Sequence, residues 1–527
     1  MPAARSSPRR APPVIAVADQ RLEDILFGVA RAQPDAFAVE DATGGLTYRE
    51  FAGAVDDLAT RLRAEYSPGT RLLILLPNSK ALPIWAIACS AASLLPILAD
   101  PKAVGSDLGH LLVGFRPTAI VGDRGDARLD SLGRMTSADS NGVVVIDPGS
   151  SIPLSPAAEH HTTPVDAYAA ICTSGSSGRA KAVLLSQRAW LTSARRLAKV
   201  LDLHPGETAI HAATLAHGAG LLFSATMLQA GSNLLLARFR SGDFAAAVAG
   251  AGATATFLVP TMLFDLLEEP RFRPEVLPTL RTINYSGGPA APSLVKRAAI
   301  VWGSALVQDY GLIEAPAPQL VLTRDDHVRV GTGSSTALAS SSGRPVRTNE
   351  FAICDERGRR TAMGQAGVIT LGGPTLMSGY LRPGGVDDST IEEHRLTTGD
   401  LAVQDAQGYV TIQGRTSNLI ATGGRKVAAE HVEATLAECR GVRQAAVVGV
   451  PDERWGEMLV ALLVIAPEQA DVRNAVDAMA REHLAPHERP KVVFIVPSLP
   501  AGPTGKLLRR EVSLVAQELI AGGRTGP

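Results

Sequence analysis

The chain has 527 residues and carries 51 Lys plus Arg against 52 Asp plus Glu, a formal net charge of -1. That balance supplies no global field for capturing nucleic acid or anionic lipid. With 46% hydrophobic and 20% charged residues the composition is that of a globular protein, and the length allows a large core and more than one domain.

The first thirteen residues, "MPAARSSPRRAPP", are basic and proline-rich, and no apolar stretch of signal-peptide type follows. Residues 1–18 are expected to be a disordered tail. Beyond it, helical and strand patterns alternate. "LEDILFGVARAQ" has helix spacing and "AFAVE" reads as a strand. "TYREFAGAVDDLATRLRAE" reads as a long amphipathic helix, with Thr47 and Glu50 at capping-box spacing. "RLLILLP" predicts a buried strand, "ALPIWAIACSAASL" an apolar helix and "TAIVGD" another strand. No uninterrupted apolar run approaches membrane-spanning length; "WAIACSAASLLPILA" is too short and contains Pro96. This rhythm predicts a layered α/β domain.

"ICTSGSSGRAKAVLLS", Ile171–Ser186, packs hydroxyls and glycines around one cation, Lys181, between strand-like "AYAAIC" and helical "SQRAWLTSARRLAKVL". Such a loop lets backbone N–H groups converge on an anion. It is not a P-loop, because Arg179 and Ala180 separate Gly178 from Lys181. Further on, "FLVPTM", "TINYSGG" and "ALVQDYG" read as short strands; the last two end in Gly- or Asp-containing loops, where ligands sit in α/β sheets. From Phe351 to Val410 the pattern changes to short strands and turns. After Arg415 a compact unit begins, with helices at "AAEHVEATLAEC" and "VRNAVDAMAREHL" and strands at "QAAVVGV", "MLVALLVI" and "KVVFIVP". The four cysteines, Cys89, Cys172, Cys354 and Cys439, form no CxxC pair and no disulfide framework, so a reducing cytoplasm is the expected setting.

Seven collinear segments resemble the signatures of the AMP-forming acyl-adenylate ligases, the superfamily of acyl- and aryl-CoA synthetases, luciferase, adenylation domains and stand-alone amide synthetases. They are "TSGSSGRAK", "SGGP", "QDYGLIEA", "TTGD", "QGRTSNLIATGGRKVAAEHVE", "VVGVPDERWGEMLVA" and "PTGKLLRRE". The resemblance implies a large N-terminal domain over 19–414, built of layered α/β sheets plus a small β-rich subdomain. It also implies a mobile α+β C-terminal domain over 415–527, turning at the hinge position Ser417. It implies ATP and Mg²⁺ as cofactors, with coenzyme A as an optional co-substrate.

The same resemblance assigns roles residue by residue. Thr173, Ser174, Gly175, Ser176, Ser177 and Gly178 would cradle the β- and γ-phosphates, and Lys181 would add a point charge. Gly287, Gly288 and Pro289 would pack along adenine, with Asp309 nearby, and Tyr310 and Gly311 would line nucleotide and acyl pocket. Glu314 would hold Mg²⁺, a hard cation that takes oxygen ligands and substrate phosphates. Asp400 would accept from the ribose hydroxyls, Arg415 would reach ribose or phosphate, His217 would gate the carboxylate pocket, and Lys506 would be the catalytic cation of adenylation.

Three positions depart from the common pattern: Ala180 for proline, Ile313 for threonine, and Ser417 at the hinge. They suggest a specialised branch. The partners expected are a small carboxylic acid, aromatic or cyclic, and a thiol or amine acceptor. The latter would be as in antibiotic-pathway amide synthetases such as the aminocoumarin ligases. Tyr285 and Phe257 are candidates to flank the acid's ring, and Arg425 and Lys426 to meet coenzyme A phosphates. The competing expectation is a nucleotide-binding homologue whose chemistry is impaired.

Overall fold

A computed structural model of the chain describes residues 20–102, 105–123, 129, 144–148, 166–174, 180–466, 472–501 and 507–522. Two large sheets dominate. One has eight strands, in the order Gly385–Asp387, Gly379–Arg382, Ala180–Ser186, Ala167–Ser174, Leu95–Leu98, Arg71–Ile74, Ala119–Val121 and Val144–Ile146. Its last five strands are parallel. The central Arg71–Ile74 and Leu95–Leu98 are buried throughout, as strands covered on both faces must be. Even Arg71 is only 1% exposed; its guanidinium donates to the carbonyls of Phe115 and Arg382 at 2.9 and 3.0 Å.

The second sheet has nine strands. Its parallel middle includes Thr208–His211, Ala255–Leu258, Thr282–Tyr285 and Leu306–Tyr310. Helices Leu22–Ala32, Tyr48–Glu65, Ala81–Ala91, Gln187–Val200 and Gly220–Leu228 contribute to one hydrophobic core shared with both sheets. Gly220–Leu228 is apolar nearly all round and almost wholly buried, the composition of a helix at the centre of a large domain. Trp190 stacks on Tyr168 with ring centroids 4.7 Å apart, and its indole N–H donates to Ser224 at 2.9 Å.

A five-stranded antiparallel sheet follows, containing Glu350–Cys354, Ala366–Gly372, Arg395–Gln404, Ile391–Glu392 and Val410–Arg415. The C-terminal unit has its own five-stranded sheet: Arg425–Ala428, Leu419–Thr422, Gly456–Ile465, Val442–Asp452 and Val492–Ile495. Helices Ala429–Ala437, Val472–His483 and Arg509–Ala521 accompany it. The α/β class and the large-plus-small architecture match the sequence expectation. No helix among the described residues is long and apolar enough to cross a membrane.

Two element readings change. "FLVPTM" is not one strand: the strand ends at Leu258, and Pro260 opens the helix Pro260–Glu268. Proline suits that first position, because its missing N–H has no helical partner there anyway. The helix predicted through Leu94 stops at Ala91; Ser93 takes a φ of 60°, and the chain returns as strand Leu95–Leu98. The Ser/Gly segment lies between two strands that pair antiparallel, Ala167–Ser174 and Ala180–Ser186, with Thr173 opposite Lys181.

The Thr47 capping box forms as expected: the Glu50 N–H donates to the Thr47 hydroxyl at 3.3 Å, and the Thr47 N–H donates to the Glu50 carboxylate at 2.8 Å. Thr47→Ala is expected to cost about 1 kcal/mol, whereas Thr47→Ser costs a few tenths at most. Urea unfolding of the two variants checks this.

Candidate active site

The site begins where strand Gly379–Arg382 adds to strand Ala180–Ser186. Tyr380 lies opposite Val183, so it shares a sheet face with Lys181, two residues along. The Lys181 ammonium sits 4.9 Å from the centre of the Tyr380 ring. The Tyr380 hydroxyl donates to Glu314 Oε1 at 2.9 Å. Glu314 is held a second time through its main chain, whose carbonyl accepts from the Met377 N–H at 2.8 Å. Burial and the adjacent Glu314 carboxylate push the Tyr380 phenol well above its ordinary range, so it remains a donor at neutral pH.

A second cluster forms where strand Leu306–Tyr310 meets the third sheet. Asp400, 4% exposed, accepts from the Tyr310 hydroxyl at 2.6 Å and from Arg415 Nε at 2.8 Å, one bond on each carboxylate oxygen. Asp400 and Arg415 are register partners on neighbouring strands, which fixes the ion pair. Burial first, and then the Asp400 charge, push the Tyr310 phenol up. The Arg415 charge is also felt at Tyr380, so the two clusters share one electrostatic neighbourhood. Gly311 cannot be replaced freely: a methyl there would lie 2.6 Å from the Ala317 nitrogen.

Asp309 is buried beside them. Asn284 Nδ2 donates to its Oδ2 at 2.8 Å, the Ser286 hydroxyl donates to its main-chain carbonyl at 2.7 Å, and Oδ1 has no partner among the described residues. Burial pushes its carboxyl up to about 6.

The remaining expected residues fall as follows. Gly287 takes a φ of 86°, and a methyl there would lie 3.6 Å from Val259 and 4.0 Å from Phe257; Gly288 faces open space, and Pro289 is exposed. His217 is half-buried, and a methyl on the adjacent Gly218 would lie 3.6 Å from Ile313 Cδ1. Thr173 is half-buried near the end of its strand, which closes at Ser174. Gly175, Ser176, Ser177, Gly178 and Lys506 lie outside the described residues. Ser417 is exposed within the short turn Thr416–Asn418.

Tyr285 does not flank a ligand pocket. It is 1% exposed, belongs to a second core with Phe272 and Trp302, and its hydroxyl donates to His327 Nε2 at 2.9 Å. His327 Nδ1–H donates in turn to the Thr323 carbonyl at 2.7 Å, and burial pushes the imidazole down to about 4, so it stays neutral. Arg425 and Lys426 go separate ways, as neighbours on a strand must: Arg425 lies 3.5 Å from His487 Nδ1, while Lys426 lies 3.8 Å from Glu356. Tyr380 was missed from sequence, because "LMSGYLRP" carries no charge motif and its partners are remote in the chain. Thr398 belongs to the "TTGD" segment, which from sequence carries a role only at Asp400. Its hydroxyl accepts from the Asp400 N–H at 3.0 Å and donates to the Ile369 carbonyl at 2.9 Å, which sets the Asp400 backbone.

Among the described residues no group of three or more His, Cys, Asp or Glu is placed to hold a metal. A lone carboxylate such as Glu314 fits Mg²⁺, which relies on substrate phosphates and water for most of its ligands, and does not fit a structural zinc centre.

The sequence model described as AMP-binding enzyme matches residues 26–381, and that described as AMP-binding enzyme C-terminal domain matches residues 431–506. The chain belongs to the AMP-binding enzyme family. A feruloyl-CoA synthase from Amycolatopsis sp. is 30% identical over 92% of this chain and 96% of its own. A medium/long-chain-fatty-acid–[acyl-carrier-protein] ligase from Mycobacterium tuberculosis is 28% identical over 94% of this chain and 95% of its own. The solved structure of the amide bond synthetase McbA from Marinactinospora thermotolerans superposes with a TM-score of 0.82 at 27% identity, covering 94% of this chain and 99% of that one. This AMP-binding enzyme is therefore a member of the AMP-forming ligase superfamily.

The buried Asp309 carboxyl makes a pH prediction. Its folded value of about 6 lies above the ordinary 3.8, so between those values the native state binds more protons than the unfolded state. Stability should fall as pH rises through that window, by about 3 kcal/mol in all. Asp309→Asn should abolish the fall and gain on the parent at pH 7 more than at pH 4. Urea unfolding at both pH values measures it, and parallel curves for the two proteins exclude the assignment.

Proposed function

We propose that this AMP-binding enzyme uses ATP to activate a small carboxylic acid as an acyl-adenylate and passes the acyl group to a thiol or an amine. The observation that carries this reading is the convergence of Lys181, Tyr380 and Glu314 with Tyr310, Asp400 and Arg415 from segments far apart in the chain. One cluster presents a cation and a carboxylate suited to a metal-bound polyphosphate. The other presents a buried carboxylate and a guanidinium suited to ribose hydroxyls and phosphate.

In the proposed reaction a carboxylate oxygen attacks the α-phosphorus and pyrophosphate leaves. The thiol or amine then attacks the acyl carbon of the mixed anhydride and AMP leaves. Bound Mg²⁺, held by Glu314, would neutralise polyphosphate charge. Thr173, Ser174, Gly175, Ser176, Ser177 and Gly178, with Lys181, bind the polyphosphate. Asp400 and Arg415 hold the ribose, and Gly287, Gly288, Pro289 and Asp309 border the base. His217, Tyr310 and Gly311 border the acid, with Ile313 beside Gly218 and Phe257 beside Gly287 supplying apolar wall. Catalysis in this scheme is positioning and charge stabilisation, with no covalent enzyme intermediate. A feruloyl-CoA synthase at 30% identity supports an aromatic acid and coenzyme A, and the amide bond synthetase structure supports an amine.

The deciding assay offers ATP, a library of acids, and either coenzyme A or amines, with products read by mass. AMP and pyrophosphate are expected, and ADP as product would overturn the reading.

The domain beyond Arg415 is proposed to turn about Ser417 between the two half-reactions, bringing Lys506 to the acid and α-phosphate during the first. Removing one donor of this kind costs roughly a hundred- to a thousandfold in rate. Lys506→Ala should therefore depress pyrophosphate release by about that factor and leave transfer from a supplied acyl-adenylate nearly unchanged. Ser417→Pro should instead slow the alternation between the steps, because it restricts the hinge backbone. Stopped-flow measurement of each half-reaction separates the two variants; equal losses in both steps for Lys506→Ala would remove that residue from the adenylation site.

A further inference from the structure

Tyr380 stands outside the motifs that single out Lys181 and Glu314, yet it touches both. Its ring lies 4.9 Å from the Lys181 ammonium, and its hydroxyl donates to Glu314 Oε1 at 2.9 Å. Opposite charges that share one aromatic neighbour in a partly buried site can neutralise one another unless each is held by another group. Among the described residues, neither has an ion-pair partner. The tyrosine occupies each of them separately: the cation sits over the ring, and the carboxylate is tied to the hydroxyl at the ring's tip.

The scaffold under Tyr380 is unusually well fixed for a short edge region. Its strand pairs with Ala180–Ser186 through Leu184, Val183 and Ala182, and the Ser378 N–H extends the ladder to the Leu184 carbonyl at 2.8 Å. Two residues along the same strand, and so on the same face, Arg382 lies 5.8 Å from the same ring, and its carbonyl accepts from the buried Arg71. The Met377 N–H fixes the Glu314 backbone from the same segment. A side chain that only filled space would need none of this alignment between its ring face, its hydroxyl and two charged neighbours.

We propose that Tyr380 is a positioning residue that keeps Lys181 and Glu314 apart and separately aimed, so that the lysine meets phosphate and the glutamate meets its metal instead of neutralising one another. This rests on the nucleotide-site reading above. It assigns separable jobs to the two parts of one side chain, the hydroxyl serving Glu314 and the ring serving Lys181.

The test uses the full chain with Tyr380→Phe and Tyr380→Leu, and calorimetric titration of ATP with and without Mg²⁺ alongside pyrophosphate release. Tyr380→Phe keeps the ring and loses the hydroxyl. It should bind metal-free ATP as the parent does, but need about tenfold more Mg²⁺ for half-maximal pyrophosphate release, the worth of one hydrogen bond to a charged group. It should also show a correspondingly smaller gain in ATP affinity on adding Mg²⁺. Tyr380→Leu should in addition weaken metal-free ATP binding by about threefold, the worth of a partly exposed cation–π contact. The KM for the acid, and transfer from a supplied acyl-adenylate, should stay within about twofold for Tyr380→Phe.

An unchanged Mg²⁺ dependence in Tyr380→Phe overturns the proposal. So does an equal loss in ATP binding, acid KM and acyl transfer, which would mark a merely structural tyrosine. Should Tyr380→Leu fail to fold, the phenylalanine variant still decides. A parent protein that neither binds ATP nor releases pyrophosphate would refute the proposed function instead, so the two failures are distinguishable.

Discussion

The antiparallel pairing of Gly379–Arg382 with Ala180–Ser186 is the constraint on which the candidate site depends. It is a short pairing one strand in from the edge of the eight-stranded sheet, made between segments remote in sequence. Because side chains repeat every two residues, register alone decides whether Tyr380 faces Lys181 or turns its back on it. A slip of one residue would send the ring to the opposite face and leave Glu314 without its donor. The buried Arg71, bound to the carbonyls of Phe115 and Arg382, is one device that resists such a slip, since moving it would strand a guanidinium in the core.

Charge is then distributed with the same economy of partners. Asp400 satisfies Tyr310 with one oxygen and Arg415 with the other, and each oxygen keeps a further lone pair. Beyond Arg415 a third ionic cluster takes over. Arg509 is gripped by Glu433 at 2.8 and 2.9 Å and lies 2.9 Å from Glu430, while Asn418 donates to Glu430 from the turn that follows the third sheet. Gly414 allows this approach, because a methyl there would lie 2.5 Å from Glu430 Oε2. The C-terminal sheet is thereby tied to the short turn that joins it to the rest of the chain.

The departures from the superfamily pattern have different weights in the structure. Ile313 is buried and packs toward Gly218 next to His217, so a hydroxyl expected near phosphate is replaced by apolar wall near the proposed acid. Ala180 opens a strand and leaves its pairing with Ser174 intact. Ser417 sits exposed in its turn, its hydroxyl 3.2 Å from Asn418 Oδ1, where the side chain places little demand on the fold. Of the three, Ile313 bears most directly on the proposed acid pocket.

The chain's own patterns determined the α/β class, the capping box at Thr47 and the long helices, and its resemblance to the acyl-adenylate ligases pointed to the segments bearing Lys181, Tyr310, Glu314, Asp400 and Arg415. For helices and strands the signal is local periodicity; for the motifs it is the collinear similarity of short segments to the superfamily's signatures. Where a local cue was ambiguous it failed locally, as at Pro260, where an apolar run passed from strand to helix without a change of composition. The tertiary structure alone decided between the tyrosines. Tyr285, beside a glycine motif, turns into the core to meet His327, while Tyr380, beside no charge motif, stands between Lys181 and Glu314. Sequence places a side chain on a strand, but only sheet order and register supply the remote strand that faces it. That pairing energy is non-local, and nothing in the flanking residues records it.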